Sequence, residues 1–489
     1  MSANESSTPI DTTSSLYNED LAPTAESQRT WGTWDIAALW VGMSVCITTY
    51  FLASGMIEQG MSWWQAGITV LLGNVIVLVP MVLNAVPGTK YGIPFPVLLR
   101  SSFGTKGANI PAIMRGIVAC GWFGIQTWVG GSAIYTLFFS LIGKTPEPVA
   151  LPVIGISFGQ LFCFFLFWVM NVAIIVKGMG WIKWLEKLSA PFLIVGGLVL
   201  LWWAWSKAGT QAIFANKGTL QGWQFWKVFI PNLTAVVGYW ATLSLNIPDF
   251  SRYAKSQKSQ ILGQTIGLPS TMTLFALIGI LVTAATVTLY GEAIWDPVAL
   301  FARFDRGVAV VIALVGLTIA TLSTNIAANV VSPANDIANL LPRKISFKMG
   351  GVIAAVIGAF ILPWKLIEST QGYIFTWMIG YSALLGPIAG IMIADFFVRR
   401  RQVLDVQALY DPAGIYSYRG GFNLLALAVF FLAALPNVPG FINAATGKAI
   451  FPGFFDTIYL FAWFIGFFLA AGLYVVAMKA MHGRAPEAS

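Results

Sequence analysis

Apolar tracts of roughly 20 residues recur from Trp34 to Val476, joined by short polar connections. Each tract is long enough to cross a bilayer core of about 30 Å. In hydrocarbon every backbone N–H and C=O must be satisfied internally, so only helices and closed barrels can span. Barrel strands need segments of about ten residues with alternating polarity, and the sequence has no such segments. Of the 489 residues 57% are hydrophobic and 10% are charged, against about 25% charged in soluble domains. The pattern predicts an all-α polytopic membrane protein.

Twelve transmembrane helices are expected, over residues 34–56, 62–87, 109–141, 152–176, 188–206, 228–246, 263–291, 308–331, 349–363, 371–394, 422–436 and 455–477. The polar tail 1–33 lacks a short apolar stretch ending in a small-residue cleavage site, so the first tract reads as a retained helix. The net charge of +8 does not mark a nucleic-acid binder, because the basic residues sit in short loops between spans. On one side lie 20 of the 28 Lys and Arg, among them Lys90, Lys106, Lys177, Lys183, Lys187, Lys255, Lys344, Arg399 and Arg484. The other side holds eight, including Lys144, Lys207, Arg303, Arg306 and Lys448. The positive-inside rule then places both termini in the cytoplasm of a multi-pass cell (inner) membrane protein. Tryptophans such as Trp31, Trp34, Trp63, Trp64, Trp181 and Trp184 cluster at span ends as an interfacial belt.

Cys46, Cys120 and Cys163 fall in apolar stretches without metal-ligand spacing, and the single histidine, His482, lies in the tail 478–489. No HExxH motif, phosphate-cradling GxxxxGK[ST] loop or mid-membrane aspartate pair is found, which argues against an enzyme or a primary pump. All twenty carboxylates lie at span ends, in loops or in tails, with Asp35, Glu58, Glu186, Asp249, Asp336 and Asp395 nearest to membrane. With no acid placed deep, neutral oxygens are the expected cation ligands. That favours Na⁺ over a carboxylate-based proton relay.

Polar groups concentrate in a few spans. The eighth carries ATLSTNIAANVVSPAND, from Ala320 to Asp336. On a helix Ala320, Ser323 and Thr324 share one face, while Asn325 and Asn329 share another. Hydroxyls with a free carbonyl suit a hard cation, and amides suit a ligand offering donors and acceptors. The competing reading is interhelical hydrogen bonding. Gly42, Ser44, Thr48 and Thr49 interrupt the first span, and Pro231, Gly238, Thr242 and Asn246 interrupt the sixth. Such interruptions point to broken helices beside a cavity or ion, as in five-plus-five inverted repeats. In the third span Trp122 and Gln126 are four apart, so a ring could stack on one while the amide holds its edge. Trp240, next to Tyr239, offers a second aromatic face.

These motifs resemble one family. RTWGTWDIAALWVGM, PGTKYGIPFPVLLRSSFGTKGANIP, CGWFGIQTWVGG, LNIPDFSRYAK, STNIAANVVSPANDIANLLP and LLGPIAGIMIADFFVRRRQ, spanning about 29–420, are similar to the nucleobase–cation symporters, in the hydantoin, allantoin and uracil permease branch. The resemblance implies ten core helices in two inverted repeats, residues 34–218 and 219–398, then a loop and two further helices over 399–477. It implies a Na⁺ site from the carbonyls of Gly42, Val45 and Ala320 with Ser323 and Thr324. It also implies a substrate held between Trp122 and Trp240, with edge hydrogen bonds from Gln126 and Asn329. Two positions depart from the hydantoin pattern, Cys46 at the first-span break and Tyr239 before Trp240. The surrounding motifs are nearer the uracil and allantoin branch.

The expected function is symport of a small flat cyclic ureide or nucleobase with a cation, Na⁺, by alternating access. A proton-coupled symporter and a passive facilitator are the alternatives. Trp377 in the tenth span is the candidate gate. No cofactor or nucleic acid is expected, and the partners are substrate, cation and lipid bilayer, with the protein a monomer.

Overall fold

The computed structural model describes residues 10–142, 149–177, 179–215, 217–304, 307–369 and 372–482. The side chains of Lys144, Trp181, Lys183, Trp184, Glu186, Lys187, Arg306, His482 and Arg484 lie outside the described residues. Every expected span is helical, and no strand occurs among the described residues. Eight helices there are long and apolar enough to cross a membrane, and the bent pair Thr33–Ser44 and Ile47–Glu58 makes nine when counted as one span. The ninth expected span is a short apolar helix, Phe347–Phe360.

Three spans break where the sequence places Gly, Pro and polar residues. The first bends by 60° between its halves, with Val45 and Cys46 off helical geometry (φ/ψ −82/81 and −149/161). The sixth divides at Trp240 into Gly222–Tyr239 and Ala241–Asn246, followed by the turn Pro248–Ser251. The eighth divides at Val330 into Val308–Asn329 and Val331–Leu340. The tenth opens with a π-helical stretch, Gly372–Met378, which puts an extra residue into the turn ahead of Ile379–Ile393.

The spans pack as two groups. The seventh, Gln257–Tyr290, lies along both halves of the first and along the second, Trp63–Tyr91, which in turn packs on the sixth. Gly267 allows the first and seventh to touch, since a Cβ there would sit 2.8 Å from Trp40 Cβ. In the other group the third span, Asn109–Ile142, lies along both halves of the eighth, the fourth (Phe158–Lys177) and the ninth. The tenth and twelfth pack together beside them.

The N-terminal segment straps one end of the molecule across both groups. On the first group, Thr24 N donates to Gly92 O (2.8 Å), and Trp31 exchanges backbone hydrogen bonds with Tyr253 and Lys255 (2.9 and 2.8 Å). On the second, Asn18 Nδ2 donates to Pro342 O (2.7 Å), and Phe347 N donates to Asp20 Oδ2 (3.0 Å). This end is called the strap end below.

Candidate functional site

The third span turns Trp122 and Gln126 into the interior, each 5% exposed. Four rings surround Trp122, all edge-on: Tyr239 at 5.1 Å, Tyr373 and Trp377 at 6.0 Å, and Tyr381 at 6.3 Å between centroids. Edge-to-face packing sets positive ring edges against negative faces. The box draws on the third, sixth and tenth spans, so both groups and the tenth span build it. Trp377 reaches Trp122 over Gly121, where a Cβ would stand 2.2 Å from the indole.

Hydroxyls tie the box to the broken helices. Tyr239 Oη lies 2.7 Å from Thr48 Oγ1, 3.1 Å from Cys46 Sγ and 3.3 Å from Thr49 Oγ1. Tyr373 Oη donates to Thr48 O (3.2 Å), and Tyr381 Oη donates to Gly238 O (2.9 Å). The indole N–H of Trp377 is buried and makes no hydrogen bond among the described residues, while that of Trp122 is turned to the Tyr381 hydroxyl. An unpaired buried donor costs about 1–3 kcal/mol.

The structure does not bring the rings of Trp122 and Trp240 into contact. Trp240 is 1% exposed, with Nε1 donating to Asn74 Oδ1 (2.9 Å), and its ring lies against Trp40 at 5.2 Å and Tyr239 at 4.9 Å. Neighbours in a helical turn do not share a face, and the phenol of Tyr239 takes the one opposite Trp122. The ligand reading of the Asn325–Asn329 face is corrected for Asn325. Its Nδ2 donates to Phe123 O, Thr127 Oγ1 and Asn171 Oδ1 (3.2 Å each), and its Oδ1 accepts from Asn329 Nδ2 (3.1 Å). Asn325 thus fastens the eighth span to the third and fourth, and Asn329, 6% exposed, ends the ladder.

At the first-span break, Cys46 N bonds Ser44 O and Thr49 N bonds Cys46 O (3.1 Å each). The helical donors for the carbonyls of Gly42 and Val45 are thereby diverted, freeing both oxygens. A Cβ on Gly42 would meet nothing within 4 Å. Across from it the first half of the first span packs on the eighth, where Ala320, Ser323 and Thr324 are 0–3% exposed. Thr324 Oγ1 donates to Ala320 O (3.0 Å) and keeps its lone pairs. This donor set consists of neutral oxygens, which fits a hard monovalent cation. No group of three or more His, Cys, Asp or Glu able to hold a metal occurs among the described residues.

Tyr373 and Tyr381 were missing from the sequence-derived site. With Trp377 they form an i, i+4, i+8 stripe in the tenth span, a periodicity present in the sequence. Acids are also more deeply placed than expected: Asp249, Asp336 and Asp395 are 3%, 0% and 0% exposed. Asp395 is fully engaged, accepting from Arg400 Nε (2.6 Å), Tyr474 Oη (2.7 Å) and Arg399 Nη1 (3.2 Å).

Broken spans that converge on a buried aromatic box, with freed carbonyls alongside, define a membrane transporter of the inverted-repeat kind. The chain belongs to the family of permeases for cytosine/purines, uracil, thiamine and allantoin, whose model matches residues 23–466. It is 44% identical over 468 residues to the purine-uracil permease NCS1 of Arabidopsis thaliana, covering 95% of this chain and 78% of that one. It is 40% identical to the allantoin permease of Bacillus subtilis, covering 95% and 93%. Among solved structures Mhp1, a nucleobase-cation-symport-1 family transporter, aligns in its inward-facing conformation with a TM-score of 0.78 at 26% identity, over 97% of this chain and 96% of that one. These relatives are permeases and transporters, not enzymes.

Proposed function

We propose that this protein is a secondary active symporter that imports a small, flat cyclic ureide or nucleobase of the uracil, allantoin or hydantoin type together with Na⁺. One observation carries the reading: a buried box of five rings with an unpaired indole N–H donor at Trp377, tied by hydroxyls to the broken first and sixth spans. A flat ring with carbonyl edges would slide between Trp122 and Tyr239. Its oxygens would accept from the free indole of Trp377 and from Gln126, whose amide makes no hydrogen bond among the described residues. Asn329 would hold the far edge, and Cys46 would border the ring where Tyr239 meets the first span. The names of the relatives support this substrate class, and a Mhp1 structure in a closed conformation carries bromovinylhydantoin.

Na⁺ would sit on Gly42 O, Val45 O, Ala320 O, Ser323 Oγ and Thr324 Oγ1. Both ligands share the first span, so each would stabilise the conformation the other needs, and their coupling is reciprocal. Both termini, and hence the strap end, would face the cytoplasm, in agreement with the basic loops. Trp377 would act as the gate by leaving Gly121 to admit substrate. A Thr324→Ala variant tests the arrangement. Its half-saturating Na⁺ concentration should rise several-fold while substrate affinity at saturating Na⁺ changes little; equal losses would argue against a separate ion site.

A further inference from the structure

A second polar cluster lies at the strap end, on the seam between the two groups of spans. Arg115 of the third span reaches Asp336 Oδ2 of the eighth (Nη1, 3.2 Å) and Asn246 Oδ1 of the sixth (Nη2, 2.8 Å). Asn246 Nδ2 also donates to Ser332 Oγ. Three residues on, Asp249 Oδ1 accepts from Phe95 N (2.9 Å), which opens the helix Phe95–Phe103. Arg115 and Asp336 are 0% exposed and Asp249 is 3% exposed.

The cluster is short of donors. Asp336 Oδ1 is buried without a hydrogen-bond partner among the described residues, whereas the Ser332 hydroxyl is within reach of the Asp249 carboxylate. Asp336 lies within electrostatic reach of Arg115 and Asp249, and Asp249 within reach of Arg115 and Arg252. Arg252 stands at the rim, 9% exposed, with its fork on Asp20 O (3.3 Å) and Tyr253 Oη (2.8 Å). Arg100, along the neighbouring helix, is engaged by Leu409 O, Leu16 O and Asn339 Oδ1. Cys120 also faces the pair and is neutral as a thiol. Inside the seam, therefore, two carboxylates meet one guanidinium, and Arg252 acts on Asp249 only from the rim, where its fork is turned to Asp20 and Tyr253. An uncompensated buried charge is far costlier than a protonated carboxyl group.

We propose that the closed seam binds one proton on the Asp249–Asp336 pair, taken from water at the strap end and returned to the same water when the seam opens. As a carboxylic acid, one of the two becomes a donor and fills the vacant partnership. Opening carries Asp249 away with the sixth span, hydrates both carboxylates and releases the proton. Acid at the strap end therefore favours the closed seam and alkali favours the open one, by at most about tenfold per pH unit for one linked proton. The site is distinct from the neutral-oxygen cation site, and it rests on the fold rather than on the nucleobase reading.

Hydrogen–deuterium exchange of the full-length protein in nanodiscs tests this without any substrate, so its outcome is separable from that reading. The readout is exchange in residues 241–252 and 331–340, corrected for intrinsic rates, between about pH 5 and about pH 8. The expected result is exchange that accelerates several-fold with pH in wild type and stays flat in Asp249→Asn, where Arg115 and Asp336 already balance. A flat wild-type profile, or an equal slope in both proteins, would overturn the proposal. All samples are kept in choline, so that a cation bound elsewhere does not move the seam. Should Asp249→Asn not fold, Asp336→Asn gives the same comparison, and a wild-type profile that stays flat overturns the proposal alone.

Discussion

Trp122 touches four other rings at the centre of the candidate site. Stacking of a base on an aromatic ring is worth about 1–3 kcal/mol. Trp122→Ala should therefore weaken substrate binding by about 10- to 100-fold, as read by calorimetric titration, and near-normal affinity would remove Trp122 from the site. Tyr239→Phe keeps the ring and deletes the hydroxyl that Cys46, Thr48 and Thr49 share. It should retain stacking yet change the ranking of uracil against allantoin in competition binding, because the wall facing the ring edge loses its polar tip. An unchanged ranking would restrict Tyr239 to packing.

Helical elements explain what was and was not legible beforehand. The breaks in the first and sixth spans could be read from Gly42, Ser44, Pro231 and Gly238, since their cause is local. The free carbonyls of Gly42 and Val45 follow from the same break. The direction of Trp240 could not be read, because one residue of helical rotation decides which of two adjacent aromatics faces Trp122. Nor could the burial of Asp249 and Asp336, which lie near span ends in the sequence but are covered by neighbouring helices. Gly121 shows how close such packing runs: Gly121→Ala should push Trp377 off the third span. It should lower substrate affinity several-fold, with a much smaller loss of melting temperature. A melting temperature that falls in step with affinity would mark the contact as structural only.

The short helix Pro297–Ala302 lies between the seventh and eighth spans. Asp296 caps it by accepting from Val298 N (2.8 Å). Burial pushes the carboxyl up to about 6, and the amides of Val298 and Ala299 oppose that only in part. A raised carboxyl pKa means that the folded turn holds its proton more tightly than the unfolded chain, whose Asp titrates near about 3.9. Its stabilising contribution is full below about pH 4 and is lost as pH rises through about 6. Amide exchange of residues 291–302, corrected for intrinsic rates, should accelerate across that window in wild type and not in Asp296→Asn. A parallel profile in the variant would assign the effect to another group.

For the whole molecule, alternating access requires the two groups of spans to part at one end while closed at the other. In this structure the strap end is held by the N-terminal segment and by Arg115, which bridges the sixth and eighth spans. The aromatic box lies between the groups, with every ring packed on another. The first span joins the two candidate sites, with Thr48 touching Tyr239 and the Gly42 carbonyl freed at the break. Under the proposed symport that shared element would couple substrate to cation, and binding is where coupling can be measured. The direct test is a tryptophan-fluorescence titration of the purified protein with uracil, allantoin, hydantoin, cytosine and adenine, in Na⁺ and with choline in its place. One of these flat ligands should bind several-fold more tightly in Na⁺, and Trp122→Ala should shift its titration to about 10- to 100-fold higher concentration. Binding of every ligand with equal affinity in Na⁺ and choline would contradict it, and would leave Ser323 and Thr324 as helix-packing groups.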